Sequence, residues 1–157
     1  MIHGLVLQRH EKADRIAQAA AMNIMTRAFN PVFGEAWTAS QLAGMVALPG
    51  TWLTLARLDA ATLGFALVRA ILDESELLLL AVDPGWSGRS IGTALLRDCL
   101  TAARFRGILT MHLEVRSTND AIHLYKNIGF NHINTRPNYY HGSDGQVHDA
   151  LTFRIDL

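Results

Sequence analysis

The chain has 157 residues with 14 basic and 14 acidic side chains, so no net charge draws it to nucleic acid or an anionic membrane. Half of the residues are hydrophobic and 18% are charged, which suits one packed domain over residues 1–157. A lone cysteine excludes an internal disulfide, the N-terminus lacks a basic-then-apolar leader profile, and the longest aliphatic run (77–82) is too short to span a bilayer. A cytoplasmic enzyme or binding module is expected, as a monomer or weak dimer.

Residues 4–9 have the texture of a first strand. Residues 13–29 are alanine-rich, with Ile16, Ala20, Ile24 and Ala28 at helical spacing, and Asn30-Pro31 breaks the run. A short second helix is predicted over 38–47, closed by Pro49-Gly50. Three strand-like runs follow at 51–58, 63–71 and 76–82, joined by turns short enough to predict antiparallel neighbours. The third run is apolar on both faces and should lie centrally in a sheet. Residues 91–105 form an amphipathic helix with Ile91, Leu95, Leu96, Cys99, Leu100 and Ala103 on its apolar face, so Cys99 is expected to be buried. A strand at 110–116 and a helix at 120–128, opened by Asn119 and closed by Gly129, come next. Strands at 130–135 and 147–155 close the sheet. This order predicts an α/β fold: a central mixed, mostly antiparallel sheet flanked by helices, whose one parallel crossover should be right-handed.

Two stretches carry chemistry. In the first, Val82-Asp83-Pro84-Gly85-Trp86-Ser87-Gly88-Arg89-Ser90-Ile91-Gly92, small residues let the backbone turn tightly from a buried strand into a helix. Converging N–H groups at a helix start make an anion site, and Arg89 could add a charged donor. The alternative is a small-residue connection with no ligand. No P-loop lysine and no G-x-G-x-x-G dinucleotide turn is present.

In the second stretch, strand alternation puts His112, Glu114 and Arg116 on one face and Leu113 and Val115 on the other. A carboxylate there is either a salt-bridge partner of Arg116 or a working base. Downstream stand Asn119 and then Ala121-Ile122-His123-Leu124-Tyr125-Lys126-Asn127-Ile128-Gly129-Phe130. Tyr125 is either a packed aromatic or a phenolic proton donor.

Together these residues resemble the GNAT N-acetyltransferases, in the branch that acetylates ribosomal-protein alanines. The family's cofactor turn reads Val-x-Pro, then Arg or Gln, two residues, Gly, one residue, and Gly or Ala. Val82, Pro84 and Gly92 match it, while Ser87 replaces the Arg or Gln and Ser90 replaces the first glycine. A serine keeps such a turn if its φ stays negative or local hydrogen bonds compensate. The likeness extends through Leu113–Arg116, Asn119, Tyr125 and Gly129-Phe130 to Arg136-Pro137-Asn138-Tyr139-Tyr140, and back to Ala36-Trp37-Thr38, covering about residues 29–153. The interval from Asn119 to Tyr125 is one residue shorter than is usual in that branch.

The resemblance implies a GNAT acyl-CoA N-acyltransferase fold and acetyl-CoA as cosubstrate. It places Ala81, Val82, Ser87, Gly88, Arg89, Ser90, Ile91, Gly92 and Asn119 on that cosubstrate, with Asn119 holding the pantetheine arm. It makes Glu114 the base and Tyr125 the acid, with Trp37 and Tyr140 beside a protein or peptide N-terminus as acceptor. A lysine side chain or small amine as acceptor, or a non-catalytic acetyl-CoA-binding module, are the alternatives. His141, Asp144, His148 and Asp149 lack ligand spacing, so a metal centre is not expected and these residues should be surface polar groups. His123 should face solvent, and Asp73 and Glu74 should form a polar hairpin turn.

Overall fold

The first strand, β1 (Val6–His10), begins two residues later than expected because Gly4, at φ 82, first turns the chain. Helix α1 (Arg15–Ala28) starts where Asp14 accepts the Ala17 N–H at 3.0 Å and stops before Pro31. Thr38 and Gln41 cap each other reciprocally at the start of α2 (Ala39–Val46). Strands β2 (Thr51–Leu58), β3 (Ala61–Ile71) and β4 (Glu74–Val82) form a meander with tight turns. Asp59 and Leu72 adopt φ 52 and 56 in those turns, which lets the strands run longer than predicted. Helix α3 (Ile91–Phe105), strand β5 (Thr110–Arg116) and helix α4 (Ala121–Ile128) follow, with Gly129 closing α4 at φ 118. Strands β6 (Asn131–His141) and β7 (Val147–Asp156) complete the chain, and the computed structural model describes residues 2–157.

The sheet has seven strands in the order β1-β2-β3-β4-β5-β7-β6, so β4 is central, as its two-faced apolar run required. Every pairing is antiparallel except β4 with β5. Helices α1 and α2 bury Ile24, Met25 and Leu42 against Leu53, Leu55, Phe65 and Leu67 on one face. On the other face α3 buries Ile91, Leu95, Leu96 and Cys99 with Trp52, Ala66, Val68 and Met111. The ladder to β3 steps from Leu77↔Val68 to Leu79↔Leu67, a bulge at Leu78. One extra residue reverses the alternation, so Leu77 joins the α3 side and Leu79 and Ala81 the α1 side.

Strand β6 runs six residues past the expected end at 135, straight through Pro137. It is an edge strand paired only to β7, and its ladder skips from Arg136↔Ala150 to Tyr140↔His148. That irregularity absorbs the proline, which has no N–H to give, and Asn138 at φ 54, whose N–H goes to Asp149 Oδ1 at 2.9 Å. No helix among the described residues is long and apolar enough to cross a membrane.

Candidate active site

Strands β4 and β5 pair only through Glu74 with Thr110, Ser75 with Met111, and Glu76 with His112. Past that point β5 keeps its ladder to β7 up to Arg116↔Ala150, while the facing edge of β4 from Leu77 to Val82 has no strand partner. The central sheet therefore splits. Two adjoining cavities of about 400 and 390 Å³ fill the opening, and Phe29, Glu35, Leu80, Asn119 and Tyr125 border both. The first also takes Trp37, Glu114 and Tyr140, and the second Ala81, Val82, Ser87 and Gly92.

The turn after β4 is tied down at its start. Asp83 Oδ1 accepts the Gly85 N–H at 3.0 Å, and Oδ2 pairs with Arg27 of α1 at 2.9 Å. Ser87 Oγ donates to the Pro84 carbonyl at 3.3 Å, and Gly88 takes φ 75. Ser90 does not keep a negative φ: it sits at φ 65, and its side chain caps nothing. The turn thus demands a left-handed residue where the family usually places glycine. Ser90→Gly is expected to raise stability by about 1 kcal/mol, the left-handed penalty less the extra freedom of unfolded glycine, read as a higher urea midpoint. Gly92 sits close to α4: a Cβ there would lie 3.3 Å from Leu124 Cδ2, a contact that a small shift of the leucine would relieve. Arg89 borders neither cavity; its guanidinium stands 4.8 Å from the Trp86 ring centroid. Ile91 is 1% exposed, so only its backbone is available to a ligand.

Glu114 is not the partner of Arg116. Its Oε2 lies 3.2 Å from Arg136 Nε on β6, whereas Arg116 Nε donates to Glu35 Oε1 at 2.6 Å and the same guanidinium bonds Thr118. Arg136 reaches Glu114 from the edge strand β6, across the intervening β7, and the loop before α2 claims Arg116. Helix α4 begins one residue later than expected, with Asp120 at its cap position, and Asn119 Oδ1 accepts the Ala121 N–H at 2.9 Å from just outside it. Tyr125 is both a packed aromatic and a cavity residue: its ring meets Phe130 edge-on at 6.0 Å. Burial, then the Glu35 carboxylate, raises its phenol well above the usual tyrosine range. Burial, then Glu114 and Glu35, pushes Tyr140 up to about 12.

Burial also pushes the Cys99 thiol up to about 12, as expected of a core cysteine. All three groups are raised acids, so the stability they confer is complete below their unfolded values of 9.0 and 10.0 and is lost as pH climbs through the folded values. The urea midpoint should therefore fall between about pH 9 and pH 11, and Cys99→Ala should remove the earliest part of that fall.

Of the four residues weighed as metal ligands, the two aspartates accept backbone N–H groups, Asp144 from Gln146 and Asp149 from Asn138. His148 Nε2 is buried without a hydrogen-bond partner among the described residues, and its ring stands edge-on to Phe33 at 5.8 Å. Among the described residues no group of three or more His, Cys, Asp or Glu is placed to hold a metal ion. His123 is exposed on α4. Sequence reasoning missed Phe29, Glu35 and Leu80, whose local patterns gave no sign of a site, and it placed Arg136 within the family likeness without giving it a role. Glu35 follows Pro31-Val32-Phe33-Gly34 in an irregular loop, and Arg136 lies beyond the strand end that Pro137 suggested.

Residues 19–130 match the acetyltransferase (GNAT) family. The chain belongs to that family. Its split sheet has the family's fold: the Escherichia coli ribosomal-protein-S18-alanine N-acetyltransferase superposes with a TM-score of 0.83 at 29% identity, over 96% of this chain and 94% of that one. In sequence, 94 residues (59% of the chain) are 39% identical to the [ribosomal protein bS18]-alanine N-acetyltransferase of E. coli K12, spanning 63% of that relative. The N-alpha-acetyltransferase RimI of Mycobacterium tuberculosis is 43% identical over 84 residues, 53% of this chain and 49% of that relative. The GNAT chain described here thus spans about half to two thirds of these relatives' lengths in aligned sequence.

Proposed function

We propose that this single GNAT domain moves acetyl from acetyl-CoA to a protein N-terminal α-amine, with the N-terminal alanine of a small-subunit ribosomal protein as leading acceptor. The observation that carries this reading is the bipartite cleft: Glu114, Trp37 and Tyr140 border one cavity, the β4 turn borders the other, and Asn119 and Tyr125 border both. The bS18-alanine specificity named for the E. coli relative supports the choice of acceptor.

The residues present fit acetyl-CoA. The partnerless edge of β4 offers backbone N–H and C=O groups to an amide-bearing arm. The turn over Ser87–Gly92 offers helix-start N–H groups to a pyrophosphate, and Asn119 borders the passage between them. When bound, acetyl-CoA supplies the acetyl group as an activated thioester. Arg89, which borders neither cavity, serves only phosphates lying beyond them.

Glu114 takes a proton from the acceptor ammonium, directly or through one water, so that the neutral amine attacks the acetyl carbon as the C–S bond breaks. An α-amine, with a pKa of roughly 8 against about 10.4 for lysine, gives up that proton more readily near neutrality. Arg136 Nε, 3.2 Å from Glu114 Oε2, holds the carboxylate in place at the cavity wall. A backbone N–H near Val82 stabilises the charge developing on the carbonyl oxygen. Tyr125, held as a neutral phenol, donates its hydrogen to the departing sulfur. The second proton, shed by nitrogen as the amide forms, restores the phenol, and Glu114 passes its own proton to water.

Acetyl-CoA at a hundred times its Kd should stabilise the fold by about 2.7 kcal/mol, seen as a raised melting temperature. Peptides beginning with a free alanine should release CoA, and the same peptides with blocked N-termini and internal lysines should not. Equal release from both would replace the α-amine with a lysine side chain as acceptor.

A further inference from the structure

The segment between α1 and α2 crosses the wide end of the split. It leaves α1 at Phe29, turns through Pro31–Phe33 with Gly34 at φ 64, and delivers Glu35 and Trp37 to the cleft before Thr38 caps α2. Its two flanking helices pack on β2, β3 and β4, the half of the sheet that ends in the turn. Phe29 and Trp37 pack on that same half, whereas Val32, Phe33 and Glu35 engage the other. Glu35 Oε1 accepts from Arg116 Nε at 2.6 Å, at the C-terminal end of β5. The Arg116 guanidinium carbon lies 3.5 Å from the Phe33 ring centroid, and the Val32 carbonyl accepts the Ser143 N–H of the β6–β7 loop at 2.8 Å. The two carboxylate and guanidinium side chains are only 16% and 10% exposed.

We propose that Glu35 and Arg116 are positioning residues: their ion pair clasps the two halves of the split sheet and sets the distance between the acceptor cavity and the thioester cavity. This rests on the acetyl-transfer reading. The strands themselves hold the halves together only over residues 74–76 and 110–112, at the narrow end. Glu114 lies beyond that ladder on one half, and the Val82 turn lies on the other. Helix α3 joins both halves on one face of the sheet, but on the face of α1 and α2 the separation of amine and thioester depends on the ties that this segment makes across the split. Reaction geometry tolerates little of this, since a misplacement near 1 Å can cost about 10²-fold. A buried, charge-assisted pair with the guanidinium stacked on Phe33 is stiff enough to supply the tie. Glu35 borders both cavities, so the clasp stands at their junction.

Glu35→Ala and the isosteric Glu35→Gln separate this role from general destabilisation. In the unliganded protein, hydrogen exchange at the amides of residues 33–37 should speed up at least about tenfold in Glu35→Ala, because the segment loses its main tie to β5. With acetyl-CoA and an alanine-ended peptide both saturating, and well below each variant's melting temperature, kcat should fall roughly 10- to 100-fold. The KM for acetyl-CoA should stay within about threefold, since neither residue belongs to the turn. Glu35→Gln should show both effects more weakly, and it carries the comparison alone if the alanine variant does not fold. Unchanged exchange, unchanged kcat, or an acetyl-CoA KM that rises in step with the loss of kcat would each overturn the clasp. A wild-type chain that turns over no acceptor overturns the proposed function instead, and the exchange measurement still judges the clasp.

Discussion

Glu114→Gln lowers kcat by roughly 10²–10⁴-fold and leaves acetyl-CoA binding within about threefold. The glutamine is isosteric and half-buried in the same place, so packing is preserved while the group that accepts the ammonium proton is lost. Arg136 loses its ion pair, but its side chain is 54% exposed and water can solvate it, so the fold should lose well under 1 kcal/mol. The signature that separates a base from a positioning group is pH. If Glu114 takes the proton, the residual rate of the variant should keep rising with pH through the acceptor amine's own ionisation, narrowing the gap to wild type above about pH 9. Steady-state CoA release measured from pH 6 to pH 10 decides this; a constant ratio of the two rates across that range rejects the assignment.

Tyr125→Phe should lower kcat by about 10²-fold or more, because the departing sulfur loses the one hydrogen-bond donor assigned to it. The ring's place between Phe130 and Phe153 is kept, so stability should change by about 1 kcal/mol or less. Because burial raises the phenol beyond its usual range, the wild-type enzyme should show no loss of rate from tyrosine ionisation up to pH 10. A descending alkaline limb near pH 9 that Tyr125→Phe abolished would contradict the buried, neutral phenol. Full turnover in the variant would remove Tyr125 from the chemistry altogether.

Much of this was legible along the chain. The helical spacing of Ile91, Leu95, Cys99 and Ala103 and the two-faced apolar run of β4 dictate how those elements are buried, since a side chain's face follows from local periodicity. Glu114 and Tyr125 stood out because each sits at a set position in a short motif. Strand β6 was harder. Pro137 reads as a stop, and only the one-sided pairing at a sheet edge, with its irregular ladder, lets the strand continue past it. Ser90 was legible as a departure from glycine, but its positive φ depends on the geometry of the whole turn.

The sequence by itself determined the type and order of the main strands and helices, the central place of β4 and the places of Glu114 on β5 and Tyr125 on α4, because these depend on local pattern. Only the tertiary structure decided the charge pairing: Glu114 with Arg136 and Arg116 with Glu35, not Glu114 with Arg116. The same holds for the split between β4 and β5 and for the loop that crosses it. Partners in an ion pair are chosen by distance in space, and residues far apart in the chain carry no local mark of the neighbour that folding will bring them.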